Sequence, residues 1–256
     1  MSKVKILIIT PTQKEFDFFS QGCTTLGFEA GNSVVGRLPV VQFPDLGITL
    51  ARGGAGKAQF AVQAQHLLDA CMDWNLVICA GAAGGLVEGL SIGDVVVATT
   101  TVEHDYNNKF SQRSAPKFEG AQTVIAALQH AVWLPNSFRV HFGVIASGDE
   151  DVIETERRRT LQQATGALVV AWEGAGGARA CAFSNVPFVE IRGVTDTANH
   201  NAAFDYEMNL EVAMSHVARV VANWLRRAST RKDMKSKAPA NRGHAADPPP
   251  ERAAGD

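Results

Sequence analysis

Three acidic residues stand just beyond apolar, strand-like runs. Glu15 follows Val4–Thr10 through Thr10-Pro-Thr-Gln-Lys. Glu173 follows Ala167–Ala171 across Trp172. Asp196 follows Pro187–Val194 across Thr195. In an α/β sheet, ligands bind outside the carboxyl ends of the strands, and carboxylates gathered there are suited to moving protons. Two more strand ends add to the set. Leu76–Ala80 is followed by Gly81-Ala82-Ala83-Gly84-Gly85, and Val140–Ala146 by Ser147-Gly148-Asp149. A glycine loop lets backbone N–H groups approach a sugar or an anion closely, although it could equally be a tight turn.

Each residue also has a plainer reading. Glu15 and Glu173 could sit in a first helical turn, where the helix dipole favours acids. Asp196 could be an N-cap. Gly53-Gly-Ala-Gly56-Lys57 could cradle an anion or simply open the next helix. His104-Asp105 reads as a polar loop rather than a catalytic pair, and Trp172 and Phe204 suit a core better than a ligand platform. No histidine or cysteine has metal-ligand spacing, so neither a metal nor a cofactor is expected. GxGxxG, GxxxxGKS and GxSxG motifs are all absent.

The elements that must position these residues are legible as alternation. Further strand candidates are Val40–Phe43, Gly47–Ala51 and Asp94–Val102. Several of the runs are continuously apolar, as strands covered on both faces should be. Helical patterns occupy Lys14–Leu26, Lys57–Met72, Gln122–Val132, Glu156–Ala164, Gly174–Phe183 and Glu207–Arg226. In the last, Leu210, Ala213, Met214, Val217, Val220, Val221 and Leu225 form one stripe. The class is α/β, with helices on both faces of a sheet.

Residues 1–228 are expected to form a single domain. Residues 229–256 carry four of the ten prolines and almost no large apolar side chain, so they are expected to be a disordered tail. The chain of 256 residues holds 24 basic and 26 acidic residues, a net charge of −2. The tail has six basic and four acidic residues, leaving 18 basic and 22 acidic, or −4, for the rest. Without a basic excess, no nucleic-acid partner is expected. No run is long enough to span a membrane. The four cysteines form no CxxC pair, which suits reduced thiols in the cytoplasm.

Taken together, GAAGGL, GDVVV, SGD, WEGAGGARACAF and VPFVEIRGVTD resemble the nucleoside phosphorylase and nucleosidase superfamily over about residues 3–226. Within it, the pattern is nearest to the 5′-methylthioadenosine/S-adenosylhomocysteine nucleosidases. The resemblance implies a three-layer α/β/α fold with a central mixed twisted sheet. It implies hydrolysis of the N-glycosidic bond of an adenine nucleoside with a 5′-thio or 5′-deoxy group, with release of adenine, in methionine salvage.

By this resemblance Glu15 activates water and Asp196 is the general acid at the purine. Glu173 holds the ribose hydroxyls and Arg192 orients the carboxylate or the water. Ala82, Gly84, Val152, Trp172 and Thr195 complete the substrate site, and Phe204 closes over an apolar 5′ group. A homodimer is implied, with the partner completing the 5′ pocket through Val102–Phe110.

Departures keep other readings open. Ala82 stands where serine is common, Ala171 where a glutamate is common, and Glu150-Asp151 where an aromatic residue is common. Arg52 could contribute to an anion site, so purine nucleoside phosphorylase is one alternative. A futalosine hydrolase-like enzyme and a non-catalytic nucleoside-binding protein are two others.

Overall fold

The computed structural model describes residues 4–110, 113–130 and 137–236. Ten strands and six helices alternate through it. The strands are β1 (Ile6–Thr10), β2 (Gly31–Val35), β3 (Leu38–Phe43), β4 (Ile48–Arg52), β5 (Leu76–Gly85), β6 (Val95–Glu103), β7 (Lys117–Glu119), β8 (Val140–Ser147), β9 (Val169–Ala171) and β10 (Phe188–Asp196). The helices are α1 (Gln13–Thr25), α2 (Lys57–Ala70), α3 (Gln122–Gln129), α4 (Thr155–Thr165), α5 (Gly174–Phe183) and α6 (Ala202–Ser236).

The sheet is mixed and closes on itself. The order β10-β6-β8-β9-β5 is completed by a β5–β10 pairing, and β1-β4-β3-β2 extends from β5. β1 lies parallel to β4 and β5, and β5 parallel to β10. β10 runs antiparallel to β6, and β9 to β5. The closure brings the carboxyl ends of β5 and β10 beside the Trp172-Glu173 step that follows β9. An open sheet would spread these ends along a line.

Alternate residues of the central strands feed two apolar layers, as a two-residue side-chain period requires. Ile6, Ile8, Ile78, Val189 and Ile191 pack with Phe19 of α1 and the α6 stripe. Leu7, Ile9, Val77, Cys79 and Phe188 pack with Phe60, Ala64 and Leu67 of α2 and Ala178 and Cys181 of α5. Every residue of the expected α6 stripe, Leu210 to Leu225, is buried. Among the described residues, no helix is long and apolar enough to cross a membrane.

Four features differ from the sequence reading. Gly81–Gly85 is not a loop: β5 runs through it to Gly85, paired with β10 and β9, and Gly81 and Gly84 leave room there for the side chains of Arg192 and Asp196. The edge strand β2 has a largely exposed, half-polar sequence and gave no apolar run, and β7 has only three residues. Helix α6 begins at Ala202 rather than Glu207 and runs to Ser236, past residue 229 where the tail was expected to start. The rest of the expected tail, residues 237–256, and the end of the expected α3 (residues 131 and 132) lie outside the described residues.

Candidate active site

A cavity of about 530 Å³ opens where the ends of β5, β9 and β10 meet the first turns of α1 and α6. That size suits a small organic ligand. Glu15, Ala82, Gly84, Val152, Trp172, Glu173, Arg192, Thr195 and Asp196 all line it.

Glu15 serves a helix and the cavity together. Thr12 N-caps α1, its hydroxyl accepting from the Glu15 backbone N–H, while the Glu15 side chain reaches back to the Thr12 backbone. Oε2 of Glu15 accepts from the Thr12 N–H at 2.8 Å and the Thr12 hydroxyl at 2.7 Å. Oε1 accepts from the Ala82 N–H at 2.8 Å. The two readings of Glu15, cap residue and site residue, are one geometry.

Glu173 lies between β9 and α5 and is 5% exposed. Its carboxylate accepts from the Gly56 N–H at 3.2 Å and from Arg192 Nη2 at 3.2 Å. Burial drives its pKa up to about 7, Arg192 opposes the rise, and the nearby Glu15 adds to it. Arg192 is fully buried. Burial works against its charge, but the acidic groups around it, Cys79, Glu190, Glu173 and Glu15, keep its pKa well above the ordinary arginine value.

Asp196 ends β10 just past a register shift against β5. The Ala198 N–H donates to Oδ1 at 2.9 Å and the Thr195 hydroxyl donates to Oδ2 at 2.9 Å. Burial raises its pKa despite these two donors, which work the other way, and Asp205 adds to the rise. Gly84 is its register partner on β5. A Cβ at Gly84 would come within 2.8 Å of Asp196 Oδ1, so glycine is required there by close approach.

Other polar residues from the sequence reading turn out to support these. The Ser147 hydroxyl accepts from the Ala175 N–H at 2.8 Å and donates to the Trp172 carbonyl at 2.7 Å. It thereby caps α5 and fixes Trp172, whose indole N–H donates to the Glu150 carbonyl at 3.0 Å. Asp149 accepts from the Lys57 N–H at 2.8 Å and so caps α2, whose own N-cap, Gly56, has no side chain to do it. Gly54 and Gly56 both have φ of +83°. Their turn opens α2 and aims the Gly56 N–H at Glu173. His104 and Asp105 do not line the cavity. His104 is buried with neither ring nitrogen hydrogen-bonded, and Asp105 pairs with Lys57 at 2.5 Å.

Phe204 is a correction. It is 69% exposed and does not line the cavity, because the earlier start of α6 turns Ala202, Ala203, Tyr206 and Glu207 toward the cavity and Phe204 away from it. Tyr206, Thr12 and Ala203 line the cavity without having been singled out. A helical wheel begun at Ala202 would have found Ala203 and Tyr206. Arg52 does not line the cavity either. Among the lining residues Arg192 is the one arginine or lysine, against six acids: Glu15, Glu150, Asp151, Glu173, Asp196 and Glu207.

Residues 5–226 match the model of the Phosphorylase superfamily. A 5′-methylthioadenosine/S-adenosylhomocysteine nucleosidase of Shewanella loihica is 29% identical over 188 residues, covering 70% of this chain and 81% of that protein. Among solved structures, the nucleosidase of the same name from Neisseria meningitidis, in complex with methylthio-immucillin-A, superposes with a TM-score of 0.77. It is 26% identical, and the match covers 88% of this chain and all of that one. The futalosine hydrolase of Helicobacter pylori superposes with a TM-score of 0.74 at 25% identity, over 88% of this chain and 98% of its own.

Proposed function

The chain belongs to the phosphorylase superfamily, and on that footing we propose that it hydrolyses the N-glycosidic bond of an adenine nucleoside with a 5′-thio or 5′-deoxy group, such as methylthioadenosine or S-adenosylhomocysteine. The observation that carries this reading is the convergence of Glu15, Glu173 and Asp196 on one cavity beside a single arginine.

Breaking the bond leaves positive charge on the ribose and negative charge on the departing base. Asp196, whose pKa is raised by burial, gives its proton to N7 as the C1′–N9 electron pair leaves with the base. Such general acid help is worth about 10²–10⁴-fold. Glu15 takes a proton from the water whose oxygen bonds to C1′, so the products are neutral adenine and the free sugar. Glu173 accepts from the ribose hydroxyls, and the surrounding carboxylates favour the cationic transition state. Trp172 and Val152 offer flat and aliphatic surface to the base. The Asp196 carboxyl also suits a 6-amino purine, since it accepts from the amino group while donating to N7.

The same charges disfavour phosphate as the nucleophile. Six acids line the cavity, and the guanidinium of its one arginine is already held by Glu190 and Glu173. Incubation with methylthioadenosine in phosphate-free buffer is expected to release free adenine. Release that appears only when phosphate is added would mean phosphorolysis instead. The futalosine hydrolase likeness is tested in the same assay, because a 6-oxo nucleoside cleaved faster than methylthioadenosine would reassign the substrate.

The wider reading places the reaction in methionine salvage in the cytoplasm, which suits four free cysteines. It includes a homodimer in which Val102–Phe110 of a second copy covers the 5′ end of the site. Phe110 is fully exposed and Tyr106 partly so, which is apolar surface that such a contact would bury. Sedimentation at twice the monomer mass is the expected result.

A further inference from the structure

Among the buried ionisable groups that the mechanism above leaves unused, Glu190 is hydrogen-bonded directly to a residue of the site. Glu190 lies on β10 two residues before Arg192, so both side chains point to the same face of the strand. Its carboxylate is completely buried. Oε1 accepts from Arg192 Nε at 2.7 Å and Oε2 accepts from the Thr101 hydroxyl on β6 at 2.7 Å. Glu190 does not line the cavity, so it touches no substrate. Its space is reserved on a second element: a Cβ on Gly174, the first residue of α5, would collide with the Glu190 carboxylate.

Burying a carboxylate is costly even when it is paired, and an apolar residue would fill this place more simply. What Glu190 does there is fix Arg192. With Nε tied to Glu190, the guanidinium plane is set, and Nη2 reaches Glu173 at 3.2 Å while Nη1 lies 3.4 Å from the Ala82 carbonyl. Gly81, the register partner of Arg192, leaves room for this, since a Cβ there would collide with Nη1 and come within 2.8 Å of Glu15 Oε1.

We propose that Glu190 is a positioning residue of the site: through Arg192 it sets the orientation of the guanidinium and limits how much of that positive charge reaches Glu173. The charges acting directly on Glu173 are Arg192 of β10 and Glu15 of α1, and Glu173 in turn acts on Cys79 of β5 and Tyr206 of α6, while Glu190 acts on Arg192. Only Arg192 among them is a cation, and Glu190 takes part of its charge. With Glu190 neutral, Arg192 acts on Glu173 undivided. This favours the ionised form of Glu173, so its titration moves to lower pH.

The proposal rests on the hydrolase reading for its kinetic consequences but not for the titration. Glu190→Gln keeps the shape and removes the charge. ¹³C-carboxyl NMR titration, with Glu173→Gln to assign the signal, is expected to place Glu173 at least 0.5 pH unit lower in Glu190→Gln than in the wild type. In protein that releases adenine, the acid limb of kcat/KM moves by the same amount, because the ionised Glu173 accepts from the ribose hydroxyls. Glu190→Leu, which strands Arg192 Nε, is expected to lower kcat tenfold or more. A merely structural role would lower the melting temperature and leave the Glu173 titration where it is. An unmoved titration in folded Glu190→Gln overturns the proposal, whereas a wild type without turnover but with the shifted titration overturns only the hydrolase reading. Should Glu190→Gln fail to fold, Thr101→Val, which removes one anchor and keeps the volume, is expected to lower kcat two- to tenfold. An unchanged kcat there overturns the proposal.

Discussion

At the scale of the residue, the carboxylates are separated by their surroundings. Asp196 has a raised pKa with burial as its main cause, and Glu173 is pushed to about 7. Asp196→Asn removes the proton donor while keeping the shape. It is expected to lower kcat by about 10²–10⁴-fold with an unchanged far-UV circular dichroism spectrum, read by adenine release. For Glu173, a folded-state pKa above the ordinary 4.5 means that its contribution to stability is fully present below about pH 4.5 and is lost as pH rises toward about 7. Glu173→Gln removes this dependence. Its melting temperature relative to the wild type is therefore expected to climb between those pH values and level off above them. The change corresponds to about 3 kcal/mol. A difference that falls with pH would contradict this assignment.

At the scale of the element, helix caps and strand ends are shared with the site. The Thr12–Glu15 capping box opens α1 and also aims Glu15 at Ala82. Thr12→Ala is expected to cost about 1 kcal/mol of stability, seen as a lower melting temperature. It should also lower kcat several-fold, because Glu15 loses one of its three donors. Thr12→Ser, which restores the hydroxyl, should recover both. On β5, glycine is needed because its neighbours come so close. Gly84→Ala would push Asp196 Oδ1 from the donors that hold it. It is therefore expected to reduce turnover at least tenfold while the melting temperature moves little.

At the scale of the whole molecule, the site lies on the rim of the closed sheet and the stability lies beneath it. Leu67 is completely buried in the layer between α2, α5 and the sheet and does not line the cavity. Leu67→Ala is expected to cost about 2–5 kcal/mol in denaturant unfolding, with kcat at 25 °C within twofold of the wild type. A large loss of kcat in a folded Leu67→Ala protein would mean that the rim is not independent of the layer below.

The sequence by itself determined the alternation of apolar runs and helical stripes, and with it the α/β class. It also placed Glu15, Glu173 and Asp196 at strand ends, since local periodicity and a short step past each strand suffice for both. It did not separate Glu15 as a cap from Glu15 as a site residue, because one side chain makes both sets of hydrogen bonds. Phe204 was misplaced, since the face of a helix depends on where the helix begins, and the cap candidates Asn199 and Asn201 just before Ala202 were not read as its start. The roles of Gly81, Gly84 and Gly174 were not legible, because each is set by a side chain distant in sequence: Arg192, Asp196 and Glu190. Only the tertiary structure decided that β5 pairs with β10, that Arg192 is shared between Glu190 and Glu173, and that burial lifts Glu173 to about 7. Desolvation and charge coupling act between neighbours in space, and those neighbours exist only once the sheet has closed.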